Sequence, residues 1–314
     1  MGSKILATPR SFGQAGDPVG LLERAGYTVA MNPLGCILTE EELGVHLVGA
    51  VGVIVGVDPL SATVLNAAKS LKAIAKYGVG TDNIDMARAK ELGIPVSVTR
   101  GANADAVADY AFALMAACAR RLVPIDARCR KRDWGKITSL DIWGKTLGIL
   151  GLGAIGKGLA RRAAGFNMRV LAYDLCWDAD YARRHSIAYA EPEEIYRTCD
   201  FISLHLPLTD ATRRMIGDTQ FAMMKPTAVL VNTARGGLVD EEALVRALRA
   251  GTIYAAGVDA FAQEPPADDT LYTLGNLVMG SHCAASTQGA VENMGMMAAQ
   301  NLLDDLTKAR GKYA

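Results

Sequence analysis

The chain has 314 residues, of which half are hydrophobic, and 33 Lys and Arg balance 33 Asp and Glu. That length accommodates about two domains with large buried cores, and the absence of net charge leaves no field to attract nucleic acid or an anionic membrane. The expected partner is a small molecule.

The most apolar long segment, 104–119, carries Asp105 and Asp109 and is closed by Arg120-Arg121, so it is too short and too charged to span a bilayer. The opening MGSKILATPR has no long apolar region of a secretory signal, and Leu6 stands where a myristoylation motif needs Ser or Thr. Six cysteines, at 36, 118, 129, 176, 199 and 283, form no CxxC pair and no regular framework, which predicts reduced thiols in a cytoplasmic protein and no metal site.

In chain order, short apolar runs at 5–7, 28–31, 51–55, 73–75 and 96–98 read as strands. Helical patterns at 19–25, 40–48, 61–68 and 84–92 alternate with them, with Ser61 as an N-cap. This alternation predicts a parallel, helix-covered sheet. The fourth strand runs into KYGVGTDNID at 76–85, a glycine pair and polar turn whose N–H groups either bind an anion or simply form a turn. A long helix over 103–122, continued beyond Pro124 over 125–132, bridges to the next unit.

That unit begins with KTLGILGLGAIGKGLARRAAGFNMRVLAYD at 145–174: strand, glycine turn, helix, strand and acid. Gly151 permits the tight turn, Gly153 admits a pyrophosphate to the backbone, and Gly156 lets helix and strand pack closely. The helix N-terminus at Ala154 and Ile155 favours an anion. Asp174 is placed to accept hydrogen bonds from ribose hydroxyls, which favours NAD over NADP because a 2'-phosphate would meet its charge.

Further strands deliver polar groups at their carboxyl ends. The strand at 201–204 empties into HLPLT, the one at 228–231 into NTARGG, the one at 255–258 into Asp259 and FAQEPP, and the one at 277–279 into Ser281-His282-Cys283. Arg235 therefore stands on a glycine-flanked loop. Glu264 and His282 leave consecutive strands at one edge, as an acid must to orient an imidazole. From Thr287 the chain is helical and is expected to pack back on the first unit.

Taken together, KYGVGTDNID, GLGAIG, HLPLT, NTARGGLVDE, the EPP from Glu264 and His282 resemble the D-isomer-specific 2-hydroxyacid dehydrogenases, most closely their phosphoglycerate dehydrogenase-like members. The resemblance implies an α/β protein of two domains. A Rossmann NAD-binding domain (101–283) is inserted into a flavodoxin-like substrate domain (1–100 with 284–314), and the protein is a homodimer to which the helix at 103–122 contributes. It implies that Arg235 grips the substrate carboxylate, Glu264 pairs with the catalytic His282, and the N–H groups at Val79 and Gly80 form a second carboxylate clamp. Pro207, Thr212, Thr233, Ala234 and Asp259 are implied cofactor contacts.

The implied reaction interconverts a D-2-hydroxy acid and its 2-keto acid, with His282 kept cationic by Glu264 to supply the proton. True phosphoglycerate dehydrogenases carry a phosphate-binding arginine after the third strand, but residues 55–59 are VGVDP, so phosphoglycerate is not the expected substrate. Ser281 stands where the family often has proline. The rival reading is a non-catalytic NAD(H)-sensing scaffold of the corepressor kind, and a formate-type dehydrogenase would resemble a Gln/His pair rather than Glu264 with His282.

Overall fold

The computed structural model describes residues 2–311. It contains two compact units, one formed by the residues through Asn103 together with those from Ser286 onward, the other by Ala104–Ala285. The first unit runs β1 (Ser3–Ala7), α1 (Pro18–Arg24), β2 (Tyr27–Met31), α2 (Glu40–Leu47), β3 (Ala50–Val55), α3 (Ala62–Ala67), β4 (Ala73–Lys76), α4 (Met86–Glu91) and β5 (Val96–Val98).

The second opens with α5 (Ala104–Ala119), α6 (Leu122–Arg130), β6 (Thr146–Leu150), α7 (Ala154–Ala164) and β7 (Arg169–Tyr173). It continues through α8 (Ala179–Arg184), β8 (Ile187–Tyr189), α9 (Pro192–Thr198), β9 (Phe201–Leu204), α10 (Asp218–Met223), β10 (Val229–Asn232), α11 (Glu241–Ala250), β11 (Ala255–Val258) and β12 (Leu277–Met279). The chain then returns to the first unit as α12 (Gln288–Gly311).

The first unit is a five-stranded parallel sheet in the order β2-β1-β3-β4-β5, the flavodoxin-like order. Its helices start on side-chain oxygens: Asp17, Thr39, Ser61 and Asp85 each accept an N–H from the first turn, a cap that contributes about 1 kcal/mol. On one face Leu43, Leu47, Val64, Leu65 and Ala89 pack against Leu6, Val53, Val55 and Ile74. On the other, Leu22 of α1 and Ala298, Ala299, Leu302 and Leu306 of α12 cover Ile5, Ala7, Ile54 and Ala75. Burial on both faces explains why these strands read as continuous apolar runs.

The second unit is a seven-stranded parallel sheet in the order β12-β11-β10-β9-β6-β7-β8. The order reverses between β6 and β9. At such a reversal the flanking connections diverge to opposite faces and leave a crevice at the strands' carboxyl ends. Leu150 and Leu204 pair at that point, so the glycine turn and the HLPLT loop emerge side by side.

The expected elements are present, with three differences. The long helix breaks at Arg121, which is left-handed (φ 52°), and not at Pro124; proline is tolerated there because it falls in the first turn of α6, where the missing N–H has no helical partner. Helix α8 with strand β8, and helix α10, were not anticipated. Each is six residues or fewer, too short for an apolar period to register.

Candidate active site

The candidate side chains Asp174, Thr233, Arg235, Glu264 and His282 stand on loops leaving the carboxyl ends of the second unit's strands. After β6, Gly151 adopts φ +103°, and a Cβ on it would lie 2.6 Å from the His205 carbonyl oxygen. A Cβ on Gly156 would lie 2.1 Å from the Gly151 carbonyl oxygen, whereas one on Gly153 would meet nothing within 4 Å. Thus Gly151 and Gly156 serve the packing of the turn, and Gly153 keeps its outer side open. Gly153 is also the N-cap of α7 and supplies no capping side chain, so the first N–H groups of that helix, at Ala154 and Ile155, face outward.

At the end of β7, one oxygen of Asp174 accepts the Cys176 N–H at 2.8 Å. Among the described residues, two buried polar atoms, His205 Nδ1 and Thr233 Oγ1, have no hydrogen-bond partner. Such orphans are rare and point to a polar ligand. They follow β9 and β10, neighbours on the same side of the reversal. The open face at Gly153, the acid at Asp174 and these two orphans fit a dinucleotide laid across the sheet edge.

His205 is held by Ser203 Oγ, 2.9 Å from its Nε2, and burial pushes its imidazole down to about 4, so it is neutral at physiological pH. The Thr212 hydroxyl is engaged within its own loop, donating to the Pro207 carbonyl at 2.7 Å and accepting the Thr209 N–H at 2.8 Å. These bonds shape the loop that carries Pro207.

Arg235, Glu264 and His282 are brought together. Buried Asn232, the last residue of β10, holds the arginine's turn by accepting the Ala234 N–H at 3.1 Å and donating to the Arg235 carbonyl at 2.9 Å. Gly236 then presses against the loop after β11: a Cβ there would lie 1.9 Å from the Phe261 carbonyl carbon. Glu264 accepts the Phe261 N–H at 3.0 Å, and its two oxygens lie 2.9 and 3.0 Å from His282 Nδ1. Burial pushes the Glu264 carboxyl up, but the hydrogen bond and charge of His282, the Phe261 N–H and the Arg235 charge outweigh it and hold the group below the usual carboxylate range. With Nδ1 taken by Glu264, Nε2 of His282 is the face left for a substrate.

The loop carrying His282 is itself fixed from β11. His282 is left-handed (φ 56°) and donates its N–H to the Asp259 carbonyl at 2.9 Å. The buried Asp259 carboxylate accepts the N–H groups of Cys283 at 3.1 Å and Ala284 at 2.8 Å. Burial raises this carboxyl above its ordinary value even against those donors. Each Asp259 oxygen therefore accepts one N–H from the histidine's own loop, which leaves further lone pairs on the carboxylate. The Cys283 thiol adds a contact to Tyr110 of α5, Sγ to hydroxyl 3.3 Å.

Val79 and Gly80 follow β4 in the first unit. His205, Asn232 and Tyr110 were not singled out as site residues from sequence. A polar residue ending an apolar strand was the available signal for the first two; Tyr110 sits mid-helix and gave none.

Comparisons with known proteins identify the family. Residues 112–284 match the family described as D-isomer specific 2-hydroxyacid dehydrogenase, NAD binding domain. The chain is 44% identical over 253 residues to a glyoxylate reductase of Korarchaeum cryptofilum, covering 78% of this chain and 76% of that enzyme. It is 40% identical to a hydroxypyruvate reductase of Thermotoga maritima, covering 79% and 81%. Its fold superposes on the crystal structure of the TT0316 protein of Thermus thermophilus with a TM-score of 0.87, 37% identity and 97% of each chain covered. The chain belongs to the D-isomer specific 2-hydroxyacid dehydrogenase family and is an NAD-dependent oxidoreductase interconverting 2-hydroxy and 2-keto acids.

Proposed function

We propose that Arg235, Glu264 and His282 are the catalytic residues, and that the enzyme reduces a short 2-keto acid to its D-2-hydroxy acid. The observation that carries this reading is the Glu264–His282 pair, 2.9 Å apart beside Arg235. NADH, when bound, supplies a hydride to the carbonyl carbon. As charge develops on the carbonyl oxygen, His282 donates a proton to it from Nε2, and the resulting neutral imidazole stays oriented by Glu264. The Arg235 guanidinium presents a planar fork suited to the substrate carboxylate. The N–H groups of Val79 and Gly80 form the second carboxylate clamp.

For the cofactor, the reading assigns Gly151, Gly153, Ala154, Ile155 and Gly156 to the pyrophosphate turn, Asp174 to the adenosine ribose, and Pro207, Thr212, Thr233 and Ala234 to the nicotinamide half. Asp259 is assigned to the nicotinamide half as well, and it also holds the His282 loop. The unit containing these residues is the NAD-binding domain, and the five-stranded unit is the substrate domain.

A homodimer is part of the same proposal. It is supported by the exposure of Leu122, Val123, Trp134 and Trp143 along the segment between α5 and β6, a density of large apolar side chains that favours burial by a second copy. A cytoplasmic location is supported by six cysteines that are all free. Among the described residues no helix is long and apolar enough to cross a membrane.

The test is an NADH oxidation screen over glyoxylate, hydroxypyruvate, pyruvate and branched 2-keto acids, repeated with His282→Ala. Turnover by the wild type, lowered about 10²- to 10⁴-fold in the variant with NADH binding retained, is expected. Equal turnover by the variant would overturn the assignment of His282.

A further inference from the structure

The carboxyl edge of the first unit's sheet carries a cation for which the proposed reaction has no use. The turn after β1, residues 8–12, is clamped on both flanks. Thr8 donates its N–H to the Ile54 carbonyl at 2.9 Å, its hydroxyl donates to the Asp58 carboxylate, and that hydroxyl accepts the Gly56 N–H at 3.1 Å. On the other flank Ser11 Oγ lies 3.2 Å from the Tyr77 hydroxyl, and the Phe12 ring meets the Tyr77 ring edge-on at 6.3 Å. Thr8, Pro9 and Phe12 are buried and Ser11 is half-buried, so within this turn only Arg10 is exposed.

Nothing among the described residues occupies its head group. Among the described residues the Arg10 guanidinium has no hydrogen bond or ion pair, although many of the other arginines are paired, as in Arg24–Asp17, Arg162–Asp109 and Arg246–Asp218. The charged groups beside it are already committed: Asp58 to Thr8 and to the Leu38 N–H at 2.8 Å, and buried Lys76 to the Gly56 carbonyl and to Asn83 Oδ1. Val57 and Val79, which follow β3 and β4, expose apolar surface at the same edge.

Strand order converts this placement into a ruler. β1, β3 and β4 are successive neighbours, so the loops after β1 and β4 stand about 10 Å apart, two strand spacings. An arginine side chain spans much of that gap. A ligand whose carboxylate sits on the Val79 and Gly80 N–H groups would bring a substituent three or four atoms further on within reach of Arg10.

We propose that Arg10 is a specificity-determining residue that binds a second anionic group on the substrate, which is therefore a 2-keto acid with a distal phosphate or carboxylate. The inference rests on the reading of Val79 and Gly80 as a carboxylate clamp. Glyoxylate, with two carbons, is too short to make this contact.

The experiment compares kcat/KM for matched pairs, phosphohydroxypyruvate against hydroxypyruvate and oxaloacetate against 2-oxobutanoate, in the wild type, Arg10→Gln and Arg100→Gln. Arg100 is exposed after β5, and its substitution removes the same charge from the other side of the clamp. The wild type is expected to favour the anionic member of at least one pair, and the pair that it favours identifies phosphate or carboxylate. Arg10→Gln is expected to lower that ratio about ten- to hundredfold, the effect of losing one charge-assisted hydrogen bond. A wild type with no preference in either pair, or a ratio that falls in Arg100→Gln and not in Arg10→Gln, overturns the proposal.

Calorimetric titration of the same 2-keto acids into the NADH-loaded His282→Ala enzyme reads binding without turnover. Failure of the catalytic assignment leaves this readout intact. There, too, an Arg10→Gln substitution that weakens both members of a pair equally counts against the proposal.

Discussion

Asp259 holds the residues on the far side of His282 by its carboxylate and His282 itself by its carbonyl, so one buried acid fixes the left-handed backbone from which the imidazole projects. Asparagine at this position keeps the size but supplies only one acceptor oxygen for two N–H donors. In Asp259→Asn, kcat is expected to fall about 10²-fold, the scale of a roughly 1 Å misplacement of a catalytic group. Single-turnover and equilibrium NADH titrations separate this from a cofactor effect. If Kd for NADH rises while the chemical step is unchanged, the loop-holding role is wrong.

The Glu264 carboxyl is held below its ordinary value, with His282 the leading favourable partner, and this sets a sign for its contribution to stability. The folded state binds the proton less readily than the unfolded chain, so the stabilisation is fully present above about pH 4.5 and is lost as pH falls through the lower folded value. Glu264→Gln is therefore expected to melt below the wild type at pH 7, with the gap closing as pH falls below 4.5 and through the lower folded value. A gap that widens on acidification would show that the pair is not what the substitution removes.

Much of this candidate site is legible in the sequence because its residues lie on loops that follow strands. Parallel strands buried on both faces read as uniform apolar runs, so the first polar residue after each run marks the sheet edge where ligands sit. Arg235, Glu264 and His282 stand on the loops that begin at those edges, and their roles are implied by the resemblance of NTARGGLVDE, EPP and His282 to the family. What stayed hidden depends on tertiary contact. Tyr110 reaches the Cys283 thiol across a sequence separation of 173 residues, and nothing in its own helix signals that. The occupation of both Asp259 oxygens by backbone N–H groups was equally invisible, since a motif names a residue but not which partner takes its lone pairs. Likewise, VGVDP at 55–59 showed the lack of a cation after β3, but only the strand order sets Arg10 beside that loop.

His205 provides a second pH-dependent test, independent of the catalytic pair. Its imidazole is pushed by burial from 6.5 to about 4, so the unfolded chain takes up a proton that the folded protein refuses. Stability falls as pH drops from about 6.5 toward 4, by about 1.4 kcal/mol per pH unit for a single such group. His205→Gln is expected to flatten that limb of a denaturant-derived stability profile. An unchanged slope would mean that the imidazole is protonated without penalty and that the orphaned Nδ1 is solvated.

The two glycines at the start of α7 separate folding from cofactor binding. A Cβ at Gly156 would lie 2.1 Å from the Gly151 carbonyl oxygen, where neither group is a flexible side-chain end, while a Cβ at Gly153 would enter open space. Gly156→Ala is expected to cost about 1–3 kcal/mol through overpacking of helix on turn, visible as a lower melting temperature with or without NADH. Gly153→Ala is expected to leave the melting temperature of the apo-enzyme nearly unchanged, because no backbone conformation there requires glycine: its φ is −74°. It is expected instead to raise the Kd for NADH about tenfold or more, since a methyl group would stand where the pyrophosphate must approach the backbone. If Gly153→Ala binds NADH as the wild type does, the pyrophosphate does not lie against this turn, and the cofactor assignment built on it fails.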